Sequence, residues 1–303
     1  MCLFGFLSGC AGAAASNGPR QTPSPASGCA SEEWTVIRNA HFGQSALSIM
    51  FVDASFGVGA DLGGNVFYSE DGGETWTTTI KAGLSRAAID ISEDARRIWY
   101  LGIGGDLEIS DDRGRTWNSP GPFPYIGHVE YLSFADDLSG WGVSTEQRNF
   151  FSTADGGKSW KALPLPDGMG APAALHLRTP DAGYILDTAG SLFISADGGK
   201  TWTNRPLNLP AGKTIPTLNH SAVVRFSDAL HGVAVVALIG GGEGLVRGLR
   251  TADGGATWTE EPVPAPMGMF HLTRDGVYLT HMDLYDNGKI TLLCSSRSVR
   301  AGG

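Results

Sequence analysis

The 303-residue sequence predicts an all-β fold, a six-bladed β-propeller with seven blades as the alternative. Three observations carry the prediction. A turn motif, Ser/Thr-x-Asp-x-Gly-x-Thr/Ser-Trp, occurs five times, with its aspartates at 71, 112, 155, 197 and 253, in steps of 41, 43, 42 and 56 residues. Each copy is preceded by three short apolar segments bounded by glycine. A repeat near 42 residues, too short to bury a core alone, is the length of one four-stranded propeller blade.

The motif is built for a hairpin corner. Its copies are 69–76, 110–117, 153–160, 195–202 and 251–258. Gly-Gly and Asp-Gly pairs turn the chain because glycine takes positive φ without steric cost. The carboxylates of Asp71, Asp112, Asp155, Asp197 and Asp253 accept from turn N–H groups that strand pairing leaves unmet. Trp76, Trp117, Trp160, Trp202 and Trp258 open the following strands and cover the turns with a large apolar face.

These residues identify the motif as the Asp-box, or BNR, repeat, which resembles that of sialidases, sortilin-type receptors, xyloglucan hydrolases and photosystem II stability/assembly factors. The resemblance covers roughly residues 31–296. It implies that the boxes are structural corners on the face away from any ligand. The wording Phe-x-Asp, then Gly-Trp-Gly-Val, then Asp-Gly-Gly-x-Thr-Trp looks most like the photosystem II stability/assembly factors. That likeness implies an exported propeller acting as an assembly scaffold rather than an enzyme.

The segments before each box read as strands. Blade one takes 49–53, 56–59 and 64–68; blade two 88–91, 98–101 and 105–109. Blade three takes 131–134, 140–143 and 149–151; blade four 174–177, 182–186 and 190–194. Blade five takes 222–226, 232–236 and 244–249, with extra length in 203–219 and 240–243. A sixth set, 269–272, 276–279 and 288–293, has no box after it. Its fourth strand is expected at the N-terminus, where Trp34 stands 42 residues before Trp76. Aligning these ends brings Cys29 and Cys294 to the corner where the sixth box is missing. A Cys29–Cys294 disulfide is therefore expected to staple the ring shut.

The first ten residues are apolar and end in Leu7-Ser8-Gly9-Cys10, which resembles a lipobox with Cys10 as the lipidated residue. The domain organisation expected is a signal segment over 1–10, an Ala/Gly/Ser/Pro tether over 11–30, one propeller over 31–297 and a tail over 298–303. The protein is expected to be exported and membrane-anchored through that lipid. A net charge of −9 lacks the basic footprint nucleic acid requires.

A ligand is expected on the face opposite the boxes, either a protein or a glycan. The candidate residues there are His41, Arg86, Tyr125, His128, Arg148 and His220, with Met267 beside them and Asp61, Glu146, Glu243, Asp283, Tyr285 and Asp286 in the loops. The histidines show no metal-ligand spacing, and no cofactor is expected. Sialidase chemistry is disfavoured because Val36-Ile37-Arg38-Asn39-Ala40 lacks the Arg-Ile/Leu-Pro motif of that family. A two-carboxylate glycosidase using members of Asp61, Glu146, Glu243 and Asp283 is the enzymatic alternative.

Overall fold

The computed structural model describes residues 29, 31–41, 46–61, 63–81, 87–92, 94–102, 105–123, 129–144, 149–217, 220–242, 244–266, 268–273, 278–283 and 289–295. They form 24 strands in six four-stranded antiparallel sheets, so the ring has six blades and not seven. β1 (Thr35–His41) precedes blade one, which is β2 (Ala46–Phe51), β3 (Gly57–Asp61), β4 (Asn65–Ser69) and β5 (Thr77–Lys81). Blade two is β6 (Ala87–Ile91), β7 (Ile98–Gly102), β8 (Asp106–Ser110) and β9 (Asn118–Pro122). Blade three is β10 (Tyr131–Phe134), β11 (Gly140–Ser144), β12 (Asn149–Thr153) and β13 (Lys161–Pro164). Blade four is β14 (Pro172–Leu177), β15 (Gly183–Asp187), β16 (Ser191–Ser195) and β17 (Thr203–Pro206). Blade five is β18 (Ala222–Phe226), β19 (Gly232–Leu238), β20 (Leu245–Thr251) and β21 (Thr259–Glu261). Blade six is β22 (Gly268–Leu272), β23 (Tyr278–Asp283) and β24 (Lys289–Cys294), completed on its outer edge by β1.

The first strand of each blade lies inward, and β2, β6, β10, β14, β18 and β22 touch in a closed circle. Apolar side chains fill the wedges between blades; Trp99 stacks on Phe134 across one wedge with ring centroids 4.2 Å apart. The glycine that opens the second strand of a blade has a steric reason. Gly140 pairs with Phe134, and a Cβ there would lie 2.5 Å from the Phe134 ring. Gly140→Ala is therefore expected to destabilise the fold by about 1–3 kcal/mol through overpacking. Chemical denaturation checks this, and an unchanged midpoint would disprove the steric reading.

A polar girdle ties the inner strands together. The penultimate residues of the six inner strands are Met50, Asp90, Ser133, His176, Arg225 and His271. Four of them bond to the last residue of the next inner strand. Asp90 Oδ2 accepts from Phe134 N (2.6 Å), and Ser133 Oγ accepts from Leu177 N (3.0 Å). His176 Nε2 meets Phe226 O (3.0 Å), and Arg225 Nε donates to Leu272 O (3.2 Å). Between blades six and one, Thr280 Oγ1 accepts from Phe51 N (3.0 Å). Removing a buried acceptor strands its donor, so Ser133→Ala is expected to cost about 1–3 kcal/mol. Thermal unfolding measures this, and a cost below a few tenths would remove the girdle from the stability account.

The boxes behave as corners. Asp197 Oδ1 accepts from the N–H groups of Lys200 (3.0 Å) and Thr201 (2.9 Å), and Oδ2 from Thr201 Oγ1 (2.6 Å). Ser195 Oγ donates to Asp197 Oδ1 and accepts from Gly199 N, each at 2.8 Å. Gly199 has φ 83°, and a Cβ on it would lie 2.2 Å from Phe150. The indole N–H groups of Trp76, Trp117 and Trp160 donate to Gly73, Gly114 and Gly157 carbonyls within the same turns. Each box also hydrogen-bonds to the first hairpin of its own blade, as Gly156 N does to Leu138 O (2.8 Å).

Head meets tail in blade six. β1 pairs with β24 from Thr35↔Cys294 to His41↔Lys289. Cys29 and Cys294 form a disulfide, their Cα atoms 5.8 Å apart. Ser295 Oγ donates to Glu32 O (2.5 Å). Trp34, 4% exposed, donates from Nε1 to Glu261 Oε1 (2.6 Å), and Arg250 Nε donates to Glu261 Oε2 (2.6 Å). Glu261 stands three residues after Trp258. Thr79 stands three after Trp76 and takes the same bond from Trp117 of the next blade (2.7 Å). The terminal latch thus reuses an ordinary blade-to-blade contact.

Candidate functional site

Strand direction sorts the loops onto two faces. The boxes and the first hairpins share one face. The other carries the blade-to-blade connections and the turns between second and third strands. Of the ligand-face candidates, Arg86, Tyr125, His128 and Arg148 lie outside the described residues, as do Met267, Glu146, Glu243, Tyr285 and Asp286. Cys10 lies outside them too. His41 is the last residue of β1, and Asp283 the last of β23. His220 is described, just before β18.

Asp61 is committed to its own turn: Oδ1 accepts from Asn65 N (2.9 Å) and Oδ2 from Asn65 Nδ2 (2.8 Å). Asp187 does the same in blade four, accepting from Ala189 N, Ser191 N and Gly170 N. Asp61 is therefore a turn-closing carboxylate. Each of its oxygens accepts from Asn65, one from the backbone and one from the side-chain amide.

His220 stands at the head of an axial cluster. Its backbone has φ 62°, and its ring lies 4.2 Å from that of His271 and 5.8 Å from that of Tyr131, centroid to centroid. His271 Nε2 shares a hydrogen bond with Ser48 Oγ (3.0 Å). Arg225 places its guanidinium in the same space, donating to the carbonyls of Leu272, Leu175 and Val224. Tyr131, His220, Arg225 and His271 border a partly open space of about 20 Å³ between the inner strands.

Burial, then the charge of Arg225, lowers the His220 pKa to about 4. Burial, then the charges of His220 and Arg225, holds His271 well below the ordinary value. Burial and the nearby Glu130 push the Tyr131 phenol up. Histidines depressed in the folded state bind fewer protons there than in the unfolded chain. Stability is then complete above about pH 6.5 and declines as pH falls toward 4, by on the order of 3 kcal/mol. Below that range the boxes follow. The Thr257 hydroxyl and N–H hold Asp253 at about 2, and Asp71, Asp112 and Asp197 are held there by the equivalent threonines. Their stabilisation is present above pH 4 and lost as pH drops through 2. Denaturation midpoints across pH 3–8 check the sign; a flat profile from 6.5 to 4 would refute the burial of the histidine pair.

Sequence reading singled out His220 but not Arg225, His271 or Ser48, which sit inside strands and read as ordinary sheet positions. A signal was present: the penultimate inner-strand position is polar in five blades, against the apolar run expected of an axial strand. Among the described residues no three His, Cys, Asp or Glu side chains gather as a metal site.

The BNR/Asp-box repeat family matches residues 67–78 and 193–204, the third and fourth strands of blades one and four with their corners. A xyloglucanase, Xgh74A of Acetivibrio thermocellus, is 31% identical in an alignment that covers 35% of this chain and 17% of that protein. Among solved structures, YCF48 bound to D1 peptide matches with a TM-score of 0.54 at 16% identity, covering 90% of this chain and 99% of that one. The GH74 xyloglucanase of Xanthomonas campestris matches with a TM-score of 0.53 at 14% identity, covering 88% of this chain and 53% of that one. Ring closure, corner chemistry and these likenesses converge: the protein is a six-bladed β-propeller built on BNR/Asp-box repeats.

Proposed function

We propose that the protein is a non-catalytic scaffold that binds a segment of a partner protein on the face opposite the boxes. The observation that carries this reading is how little space the inner strands leave. Tyr131, His220, His271 and Arg225 border a space of only about 20 Å³ between them, and Asp61 locks its own turn. So small a central space suits an extended chain laid across the face better than a cleft around a scissile bond. The coverage of almost all of YCF48, a structure solved with a peptide, supports the same reading. The connection 207–217 and the tall β19–β20 hairpin raise one side of this face, joined where Thr214 bridges Ile239 and Lys213 Nζ donates to Gly240 O (2.6 Å).

Export and lipid anchoring through Cys10 belong to the same proposal. They are supported by the Leu-Ser-Gly-Cys wording and by the Cys29–Cys294 bond, since such bonds persist outside the reducing cytosol. Mass spectrometry of the native N-terminal peptide should find lipid on Cys10, and an unmodified thiol there would refute the anchor.

A photo-crosslinker at Ala211, exposed in the raised connection, should yield protein adducts in the native envelope, whereas one at Glu74, exposed on the box face, should not. Equal yields from the two positions would overturn the face assignment. Glucan recognition is the second reading, favoured by the local identity to Xgh74A. Release of reducing ends from xyloglucan would establish it and overturn the scaffold.

A further inference from the structure

We propose that Asp167-Gly168 is a spontaneous modification site, at which the backbone isomerises through a succinimide ring to isoaspartate. The Gly168 nitrogen attacks the Asp167 Cγ. An N–Cγ bond forms, the carboxyl C–O bond breaks, and the amide hydrogen leaves with the hydroxyl as water. One water then reopens the ring. Opening at Cγ restores aspartate. Opening at the main-chain carbonyl leaves the backbone running through Cβ and Cγ, longer by one methylene. No atom is gained or lost overall, and water is the only co-reactant.

Five Asp-Gly pairs lie among the described residues, beginning at Asp71, Asp155, Asp167, Asp197 and Asp253. All five are prone by composition, since glycine leaves the attacking nitrogen unhindered and the backbone free to rotate. Four of them are box corners, and the corner blocks both halves of the reaction. The glycine nitrogens are engaged. Gly72 N donates to Ser55 O (2.7 Å), and Gly156, Gly198 and Gly254 N donate to Leu138, Asp181 and Leu230 O, each at 2.8 Å. The carboxylates are engaged on both oxygens. Asp155 accepts from Thr153 Oγ1, Ser159 N and Ser159 Oγ, and Asp253 from Thr251 Oγ1, Thr257 N and Thr257 Oγ1. Ring closure needs the protonated carboxyl. The threonine bonds that hold Asp71, Asp197 and Asp253 at about 2 keep that form scarce at neutral pH.

Asp167-Gly168 has neither guard. Both residues are exposed at the tip of a β-turn, which Met169 N closes by donating to Pro166 O (3.2 Å). Among the described residues neither the Asp167 carboxylate nor Gly168 N has a hydrogen-bond partner. Gly168 stands at φ 74° with no atom within 4 Å of the place a Cβ would take. The flanking Pro166 and Met169 are buried, so the tip can rearrange while its two ends stay anchored. The turn connects β13 to β14 and so belongs to the face opposite the boxes. Isomerisation would move a negative charge on that face, whether the face meets a protein or a glucan.

The full native chain, aged at neutral pH and physiological temperature, should be mapped by electron-transfer fragmentation, which tells isoaspartate from aspartate. Isoaspartate should form at Asp167 roughly tenfold or more faster than at Asp71, Asp155, Asp197 or Asp253, because those corners must first open. In the reduced chain held unfolded in denaturant, the five rates should converge to within about threefold once the corner bonds are gone. Isoaspartate absent from Asp167 overturns the proposal, as does equally fast formation at any box aspartate of the folded chain. A preference for Asp167 that persists unchanged in the unfolded chain overturns it too, by placing the cause outside the turn. Asp167→Asn, at an exposed tip, should close the same ring faster, with ammonia leaving in place of water and a mass gain on reopening. Retention of the amide in that variant over the same period would also overturn the proposal.

Discussion

Replacing both Cys29 and Cys294 by serine is expected to lower stability by about 5 kcal/mol. The bond joins residues 265 apart, so it restrains nearly the whole unfolded chain, and the loop-closure entropy it removes is near the top of the range. For a domain of this size the loss corresponds to a fall in melting temperature of about 10 °C. The serine variant is still expected to close, because the β1–β24 ladder and the Trp34 contacts do not depend on sulfur. Scanning calorimetry of the native protein with and without a reductant gives the same comparison without mutation. Coincident melting curves would show that the ladder alone sets the closure energy.

Trp34→Ala is expected to cost about 4 kcal/mol, in the range of large aromatic truncations in a core. Trp34 is packed among Val233, Val235, Phe270, Leu279 and Leu293, joining blade five to blade six. Its loss also removes the donor to Glu261, whose carboxylate is shared with Arg250. Trp34→Phe separates the two contributions. It keeps most of the apolar contact and gives up a hydrogen bond to a charged acceptor, expected at about 2 kcal/mol. Because Trp34 and the disulfide close the same seam, combining Trp34→Ala with the serine pair should depart from additivity by more than about 0.5 kcal/mol. Strict additivity would mean that the two fastenings act on separate units, against the single latch described here.

The corners and the strand order were legible in the sequence because each rests on local chemistry. The Asp197 carboxylate bonds within five residues, so five copies of one short pattern announce five hairpins. The closure was legible for a different reason: Trp34 stands in the same phase of the repeat as the box tryptophans, and the set 269–293 has the phase of three inner strands, which the β1–β24 pairing joins. The expected strand 131–134 coincides with β10, whereas β14 begins at Pro172, two residues before the expected 174, because the strand carries a bulge between Pro172 and Ala174. Asp61 shows the limit. As a loop carboxylate it carries no sign of its partner in the sequence, and only the structure shows that it locks its own turn through Asn65.

By itself, then, the sequence determined the corners and the pairing expected at the seam and favoured six blades over seven, since these follow from a repeated local pattern; the six sheets settled the count. The tertiary structure alone decided what stands at the axis. Ser48, Tyr131, His220, Arg225 and His271 come from four different blades and are as much as 223 residues apart, as Ser48 and His271 are. No local period encodes their meeting, because it arises only when six inner strands are bent into one circle.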